Sequence, residues 1–295
     1  MFRLAHISDV HLGPLPHFRR RDLMTKRITG YINWRRSRAK RLGSTVLAAV
    51  VDDLHAALPD HIVMTGDLVN LSLDAELPAA KLWMEALGAP DTVSYVPGNH
   101  DAYVIGALEK TTQNLAAFIG DTPENLIFPS LRIRGDVALI GVNSARATPV
   151  FIAAGHVSDR QMTALQTLLE ETGQLGLCRV VMIHHPPVRG AASQAKRLYG
   201  ITKFQRAIKA AGAELVLHGH THLPTLNWIG GPSTSRVPVV GVSAAAQGPG
   251  GKMPAAGWNE FTIEKGKTGF SIEMRRRQIL LNGDKIAETE YVKLS

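Results

Sequence analysis

Cysteine is almost missing from this chain of 295 residues: Cys178 is the only one, so no intrachain disulfide can form. A lone thiol beside an apolar strand has no cysteine partner, and it points to a reducing, cytoplasmic setting. Apolar runs of the roughly 18 residues needed to span a bilayer are also lacking. The chain enters an extended apolar run at Phe2, which leaves no room for a signal peptide. No glycine-rich loop of the G-x-x-x-x-G-K type is present, which removes nucleotide-driven motor chemistry. Internal repeats and low-complexity linkers are lacking too, so a single domain over residues 1–295 is the simplest organisation.

What is present is an ordinary soluble composition, 45% hydrophobic and 20% charged, with one local anomaly. Between Arg19 and Arg41 stand ten basic residues against one acid, Asp22, and this segment carries the whole formal excess of +8. Leu23, Met24, Ile28, Tyr31, Ile32 and Trp34 run through it at roughly helical spacing, so residues 18–43 read as a basic amphipathic insertion. Such a segment is either a solvated helix packed on the body or a docking surface for phosphate. The phosphate would belong to an anionic substrate or to an acidic membrane face. Its sparse aromatics make nucleic acid the weaker partner.

Elsewhere strands and helices alternate. Extended apolar runs at 2–8, 61–65, 93–96, 179–183 and 215–218 are separated by helical spacing at 45–58, 74–87, 108–119 and about 201–211. Ser44 is a candidate cap for the first of these helices. Ser158 with Gln161 reads as a capping box for a helix through residue 169. Residues 131–142 read as a hairpin bending at Gly135-Asp136. Short strands at 237–242, 261–264 and 270–274 crowd the end of the chain, with 258–295 as a C-terminal β extension. The expected fold is α/β, a four-layer αββα sandwich with two mixed sheets face to face and helices outside.

Five of the extended runs end in metal-ligand chemistry: Asp9/His11, Asp67, Asn99/His100/Asp101, His184 and His220/His222. Residues i and i+2 at a strand end share a face, so Asp9 with His11, and His220 with His222, can each reach one point. Ligands in layered α/β folds gather outside the carboxyl ends of strands. A donor set of carboxylates, imidazoles and an amide, without thiolate, suits Mn²⁺, Fe²⁺/Fe³⁺ or Zn²⁺ and excludes an all-thiolate structural zinc site. Seven ligands are too many for one ion and fit two ions sharing a carboxylate.

In order, the motifs are Asp9-Val10-His11, Gly66-Asp67, Gly98-Asn99-His100-Asp101, His184 and Gly219-His220-Thr221-His222. This series resembles the calcineurin-like metallophosphoesterases, over residues 4 to about 275. The resemblance implies one metal held by Asp9, His11, Asp67 and His222, and another held by Asp67, Asn99, His184 and His220. His100 would stand over the substrate phosphate as general acid or charge stabiliser, with Asp101 orienting it. His185 has no implied metal, and His218 reads as core or supporting. Many members continue G-D-x-x-D, whereas Asn70 stands here at the second acidic position, a departure that touches fine tuning more than the ligand set. Water activated between the two ions would attack phosphorus in line, without a covalent enzyme intermediate.

The resemblance places the chain with small-substrate phosphodiesterases of the cyclic-nucleotide and glycerophosphodiester kind. The alternative is a pyrophosphohydrolase working on a lipid-linked or sugar-nucleotide substrate, such as UDP-diacylglucosamine, at the inner membrane face. A third reading, a non-catalytic binding module, requires lost ligands, and every ligand type is present.

Overall fold

The computed structural model describes residues 1–38, 43–280 and 285–295. Its strands in chain order are β1 (Phe2–Ile7), β2 (His61–Met64), β3 (Val93–Tyr95), β4 (Ser130–Arg134), β5 (Val137–Val142), β6 (Gly155–His156) and β7 (Cys178–Ile183). They continue with β8 (Leu198–Tyr199), β9 (Leu215–His218), β10 (Leu226–Gly230), β11 (Arg236–Gly241), β12 (Gly257–Gly266), β13 (Gly269–Ile279) and β14 (Ile286–Lys293). The α-helices are α1 (Arg27–Asn33), α2 (Ser44–Ala56), α3 (Leu77–Leu87), α4 (Ala107–Asn114), α5 (Ala116–Ile119), α6 (Asp159–Gln174) and α7 (Ile201–Ala211).

Among the described residues two six-stranded sheets form, ordered β14-β13-β12-β1-β2-β3 and β10-β11-β9-β7-β5-β4. Each is mixed. β1, β2 and β3 run parallel while β12 to β14 run antiparallel beside them; β5, β7, β9 and β11 run parallel with antiparallel β4 and β10 at the edges. Of the parallel strands, β2, β3, β5 and β9 are buried at every position, as strands covered on both faces must be.

Three apolar clusters account for the layers. Leu4, Val63, Phe261 and Met274 of one sheet meet Leu139, Val180, Met182 and Leu217 of the other in a central core. Val50, Leu54, Ala80 and Met84 of α2 and α3 close the outer face of the first sheet. Met162, Leu165, Phe204 and Ile208 of α6 and α7 close the second. This is the expected αββα sandwich.

Local readings differ in detail. The first long helix begins at Ser44 itself, with Gly43, extended at ψ 133°, in the cap position. Ser158 does cap α6, accepting from the Gln161 amide at 3.2 Å, but the box is not closed. The Gln161 side chain instead exchanges two hydrogen bonds with the Asn143 backbone, 18 residues away, and α6 continues to Gln174. β12 pairs along β1 from Phe2↔Ile263 to His6↔Asn259, so the C-terminal strands complete the sheet that carries Asp9. Residues 39–42 of the basic segment lie outside the described residues; the rest folds as a short 3-10 turn, α1 and a π-helical turn at Trp34–Arg38. Among the described residues no helix is long and apolar enough to cross a membrane.

Candidate metal centre

β1, β2, β7 and β9 deliver the candidate ligands to one rim because they run parallel and end at the same level. The loops after them interlock through the backbone. The Asp9 amide donates to Gly66 O at 3.0 Å, the His11 amide to Asp67 O at 2.9 Å, and the Gly219 amide to His184 O at 3.1 Å. The His220 amide donates to the Asp9 carboxylate at 2.9 Å, tying the last motif to the first across 211 residues. Gly98 and Gly219 are needed for close approach: a Cβ on Gly98 would stand 2.2 Å from an Asp67 carboxylate oxygen, and one on Gly219 would stand 1.9 Å from Ser8 Oγ.

Among the described residues nine that are not glycine adopt positive φ, and five of them are Asp9, His11, Asp67, His220 and His222. Left-handed backbone costs free energy at each such residue and persists only where surrounding contacts impose it. It is concentrated at the candidate ligands, the pattern that strained backbone shows at sites whose surroundings are built to hold it.

The side chains converge as the motifs require. Asp9, His11 and His222 offer ligand atoms within 4.8 Å of one another, as do Asp9, Asp67 and His184. His222 Nε2 lies 3.1 Å from Asp9 Oδ1, His184 Nε2 lies 3.4 Å from Asp67 Oδ1, and His11 Nε2 lies 3.8 Å from Asp67 Oδ2. The Asn99 amide oxygen is 3.2 Å from His184 Nε2. Asp67 therefore stands between the two groups, one oxygen toward each.

The arrangement fits cations. His184 Nδ1 donates to Thr65 O at 2.6 Å and His11 Nδ1 donates to Val69 O at 3.3 Å, which leaves each Nε2 as the lone-pair nitrogen. A lone pair aimed at a buried carboxylate is repulsive unless a proton or metal lies between them. Burial works against a charged His184, but Asp67, its hydrogen bond and Asp9 outweigh it and raise the imidazole to about 9. Burial likewise opposes ionisation of Asp67, and His184 and His100 overcome it, holding that carboxyl well below its ordinary value. A cation between these nitrogens and the Asp67 oxygens would remove that repulsion.

Two neighbours have other duties. His185 lies against His184 and His220, yet its Nδ1 pairs with Ser144 Oγ at 2.8 Å and its Nε2 with Ala153 O at 3.1 Å, so both nitrogens are committed. His218 is buried with Nδ1 on Gly219 O at 2.9 Å. His220 Nε2 pairs with Lys196 O at 2.9 Å, leaving Nδ1 for the site.

The Asp101 carboxylate accepts from the amides of Asp67 (2.7 Å), Gly98 (2.8 Å), Leu68 (3.0 Å) and Val69 (3.1 Å). It holds the Asp67 loop. His100 Nδ1 is held by Asn70 O at 2.5 Å, so the orienting group for that imidazole is a backbone carbonyl. The Asn70 side chain donates to Leu12 O, bracing the first motif against the second. Glu76 in turn accepts from the amides of Asn70, Leu71 and Leu73.

Sequence reasoning offered the basic segment as a phosphate-docking surface but missed the rest of the cleft wall. Asp67, Asn99, His100, His220 and His222 line a cleft of about 700 Å³ together with Lys26, Ile32, Arg36, Tyr103, Phe151, Lys196 and Met253. Tyr103 stacks on His100 at 5.2 Å between ring centroids and carries Lys26 Nζ 4.7 Å above its own ring. Lys26 also donates to Thr148 Oγ1 and Ile152 O, and burial lowers its amine to about 8. Only the position of Tyr103, two residues beyond a motif, hinted at its place.

A family description, calcineurin-like phosphoesterase, matches residues 2–224. The chain belongs to that family. A curated relative, the glycerophosphodiester phosphodiesterase GpdQ of Enterobacter lignolyticus, is 27% identical over 187 residues. That alignment covers 63% of this chain and 57% of the relative, so the chain spans little more than half of that protein's length. Among solved structures, a dimetal phosphatase from Danio rerio matches the fold with a TM-score of 0.66 at 12% identity, covering 100% of this chain and 98% of that one. The sulfate thiohydrolase SoxB of Thermus thermophilus matches with a TM-score of 0.55 at 17% identity, over 97% of this chain and 58% of that one.

Proposed function

We propose that this protein is a dinuclear metal-dependent phosphodiesterase acting on small phosphodiesters of the glycerophosphodiester or cyclic-nucleotide type. One observation carries the reading: five strand-end motifs from both sheets meet at Asp67, whose two oxygens face separate groups of ligands. The likeness to GpdQ supports the diester preference. Asp9, His11, Asp67 and His222 would hold one ion, and Asp67, Asn99, His184 and His220 the other; Mn²⁺, iron and Zn²⁺ suit these donors. When bound, such a pair supplies Lewis acidity toward phosphoryl oxygens and an activated water.

The chain's own groups do the rest. His100 donates through Nδ1 to Asn70 O, so Nε2 faces the cleft. As imidazolium it stabilises charge growing on phosphoryl oxygen or protonates the leaving oxygen. Tyr103 fixes its ring plane by stacking, and Asp101 fixes Asp67 by gripping the loop amides. We read the chain as one domain, working in a reducing compartment that suits the buried, unpaired thiol of Cys178.

The test is a panel after loading with Mn²⁺, Fe²⁺ or Zn²⁺: bis(p-nitrophenyl) phosphate, glycerophosphodiesters, cyclic AMP and p-nitrophenyl phosphate. Preference for the monoester overturns the diester reading. Protein that binds no metal and stays inert with Mn²⁺ is a binding module instead. A second reading, pyrophosphohydrolysis of a lipid-linked or sugar-nucleotide substrate such as UDP-diacylglucosamine, is favoured by Lys26 and Arg36 of the basic segment lining the cleft. Acyl-bearing and soluble substrates assayed side by side separate the two.

A further inference from the structure

The basic segment has two apolar faces, and the fold uses only one. Its inner face is docked: Phe18, Leu23 and Tyr31 pack against Leu71, Leu73 and Tyr103. The Arg27 guanidinium donates to Leu71 O and Ser72 O. Gly30 lies so close to Tyr103 that a Cβ there would stand 2.3 Å from its hydroxyl. α1 is therefore held in one orientation, and the residues on its other side are fixed toward solvent.

Those residues are not polar. Met24, in the turn before α1, is 82% exposed, and Ile28 and Ile32, one turn apart on α1, are 51% and 43% exposed. Arg19, Arg21, Arg35 and Arg36, all exposed, flank this row. Ile32 and Arg36 also line the metal cleft, as does Phe151 on the opposite lip. Phe151 is 85% exposed on a left-handed backbone (φ 65°), a conformation that an aromatic residue adopts only under constraint. Lys26 ties the two lips together through Thr148 and Ile152. An apolar ridge rimmed by arginines thus runs to the mouth of the cleft.

We propose that this ridge seats the protein on an anionic phospholipid bilayer, with Met24, Ile28, Ile32 and Phe151 entering the interface and the arginines meeting lipid phosphates. Apolar side chains on one side of a helix with cations at its margins are the chemistry of an interfacial helix. A soluble partner with an acidic groove would match the charge as well. The bilayer is favoured because the apolar residues are exposed, rimmed by cations, and split between the helical segment and the Phe151 turn across the cleft. Resting on the phosphodiesterase reading of the cleft, the inference makes the substrate a phosphodiester presented at the membrane surface, whose head group enters between the lips.

The test uses the full chain and vesicles of phosphatidylcholine with or without phosphatidylglycerol at about one lipid in three. The wild-type protein should cosediment with the anionic vesicles and not with the neutral ones. The double variant Met24→Ser/Ile28→Ser should bind them at least about tenfold more weakly. Neither residue lines the cleft, so hydrolysis of soluble bis(p-nitrophenyl) phosphate should be unchanged, which also reports that the variant is folded. Failure of the wild-type protein to bind, or equal binding by the variant, overturns the docking surface. A concentration-dependent dimer dissolved by the same double substitution assigns the ridge to a second copy and overturns it too. If vesicles are bound but bis(p-nitrophenyl) phosphate is untouched by metal-loaded protein, the phosphodiesterase reading fails and the docking stands.

Discussion

Replacing Asp101 with Asn distinguishes two ways in which a carboxylate next to a catalytic histidine can act. If Asp101 served His100, the variant would bind metal normally and turn over slowly. The structure points the other way, because the carboxylate accepts four amide hydrogen bonds from Asp67, Leu68, Val69 and Gly98. An Asn side chain keeps one oxygen and turns an NH₂ toward two of those donors. At about 1.5–3 kcal/mol per hydrogen bond to a charged group, the loss is about 3–6 kcal/mol. Part is returned, since burial and the neighbouring charge of Asp67 push the Asp101 carboxyl up to about 7, and the amide removes that penalty. That penalty is about 4 kcal/mol at about 1.36 kcal/mol per pKa unit, so a net loss of at most about 2 kcal/mol in urea unfolding is expected for Asp101→Asn. With the Asp67 loop loosened, metal affinity should fall about 10–100-fold, read by competition with a chelator. A variant that keeps both metals and unfolds like wild type, while kcat falls as in a His100 variant, would refute this account.

Asp67→Ala should remove both metals and nearly all phosphoesterase activity, as metal stoichiometry and turnover together would show; retention of one tightly bound ion would contradict the bridge. His100→Ala should leave metal content intact and lower kcat about 10²-fold, within the usual range for a lost acid or charge stabiliser; loss of metal would overturn its placement over the phosphate. Acid should destabilise the protein through His6 and His61, whose imidazoles burial pushes down to about 3 from an ordinary 6.5. Between those values the unfolded chain takes up protons that the native one refuses, so stability falls as pH falls through 6.5. From pH 7 to pH 5 the loss is about 2 kcal/mol per histidine. His61→Gln should flatten the urea-measured pH dependence by that amount, and an unchanged slope would remove His61 from the account.

Much of the centre was legible because its information is local. Asp9 and His11, or His220 and His222, announce themselves by residue type just after an apolar run, and parallel strands bring such ends to one level. The left-handed backbone there, not strand alternation, sets where each points, and it sends His220 toward His184 and His222 toward Asp9. The layer architecture was legible for a similar reason, since apolar strands alternating with amphipathic helices have few ways to bury both. What escaped depends on partners distant in sequence. Gln161 looked like a capping residue because its true partner, Asn143, is set by how α6 lies on β5. Asp101 looked like a partner for His100 because they are adjacent, yet its four donors come from the Asp67 and Gly98 turns.

The same distinction explains why the basic segment is where sequence said least and structure says most. A helix apolar on more than one side is ambiguous until its docked face is known, and that face was settled by Gly30 against Tyr103 and Arg27 on the backbone of Leu71 and Ser72. Tyr103 therefore has two roles. It stacks on His100 and it seats α1, so the wall that closes one side of the cleft is built on the ring that positions the histidine. Displacement of α1 cannot leave that ring undisturbed. Anything that shifts the segment is thereby coupled to the His100 imidazole.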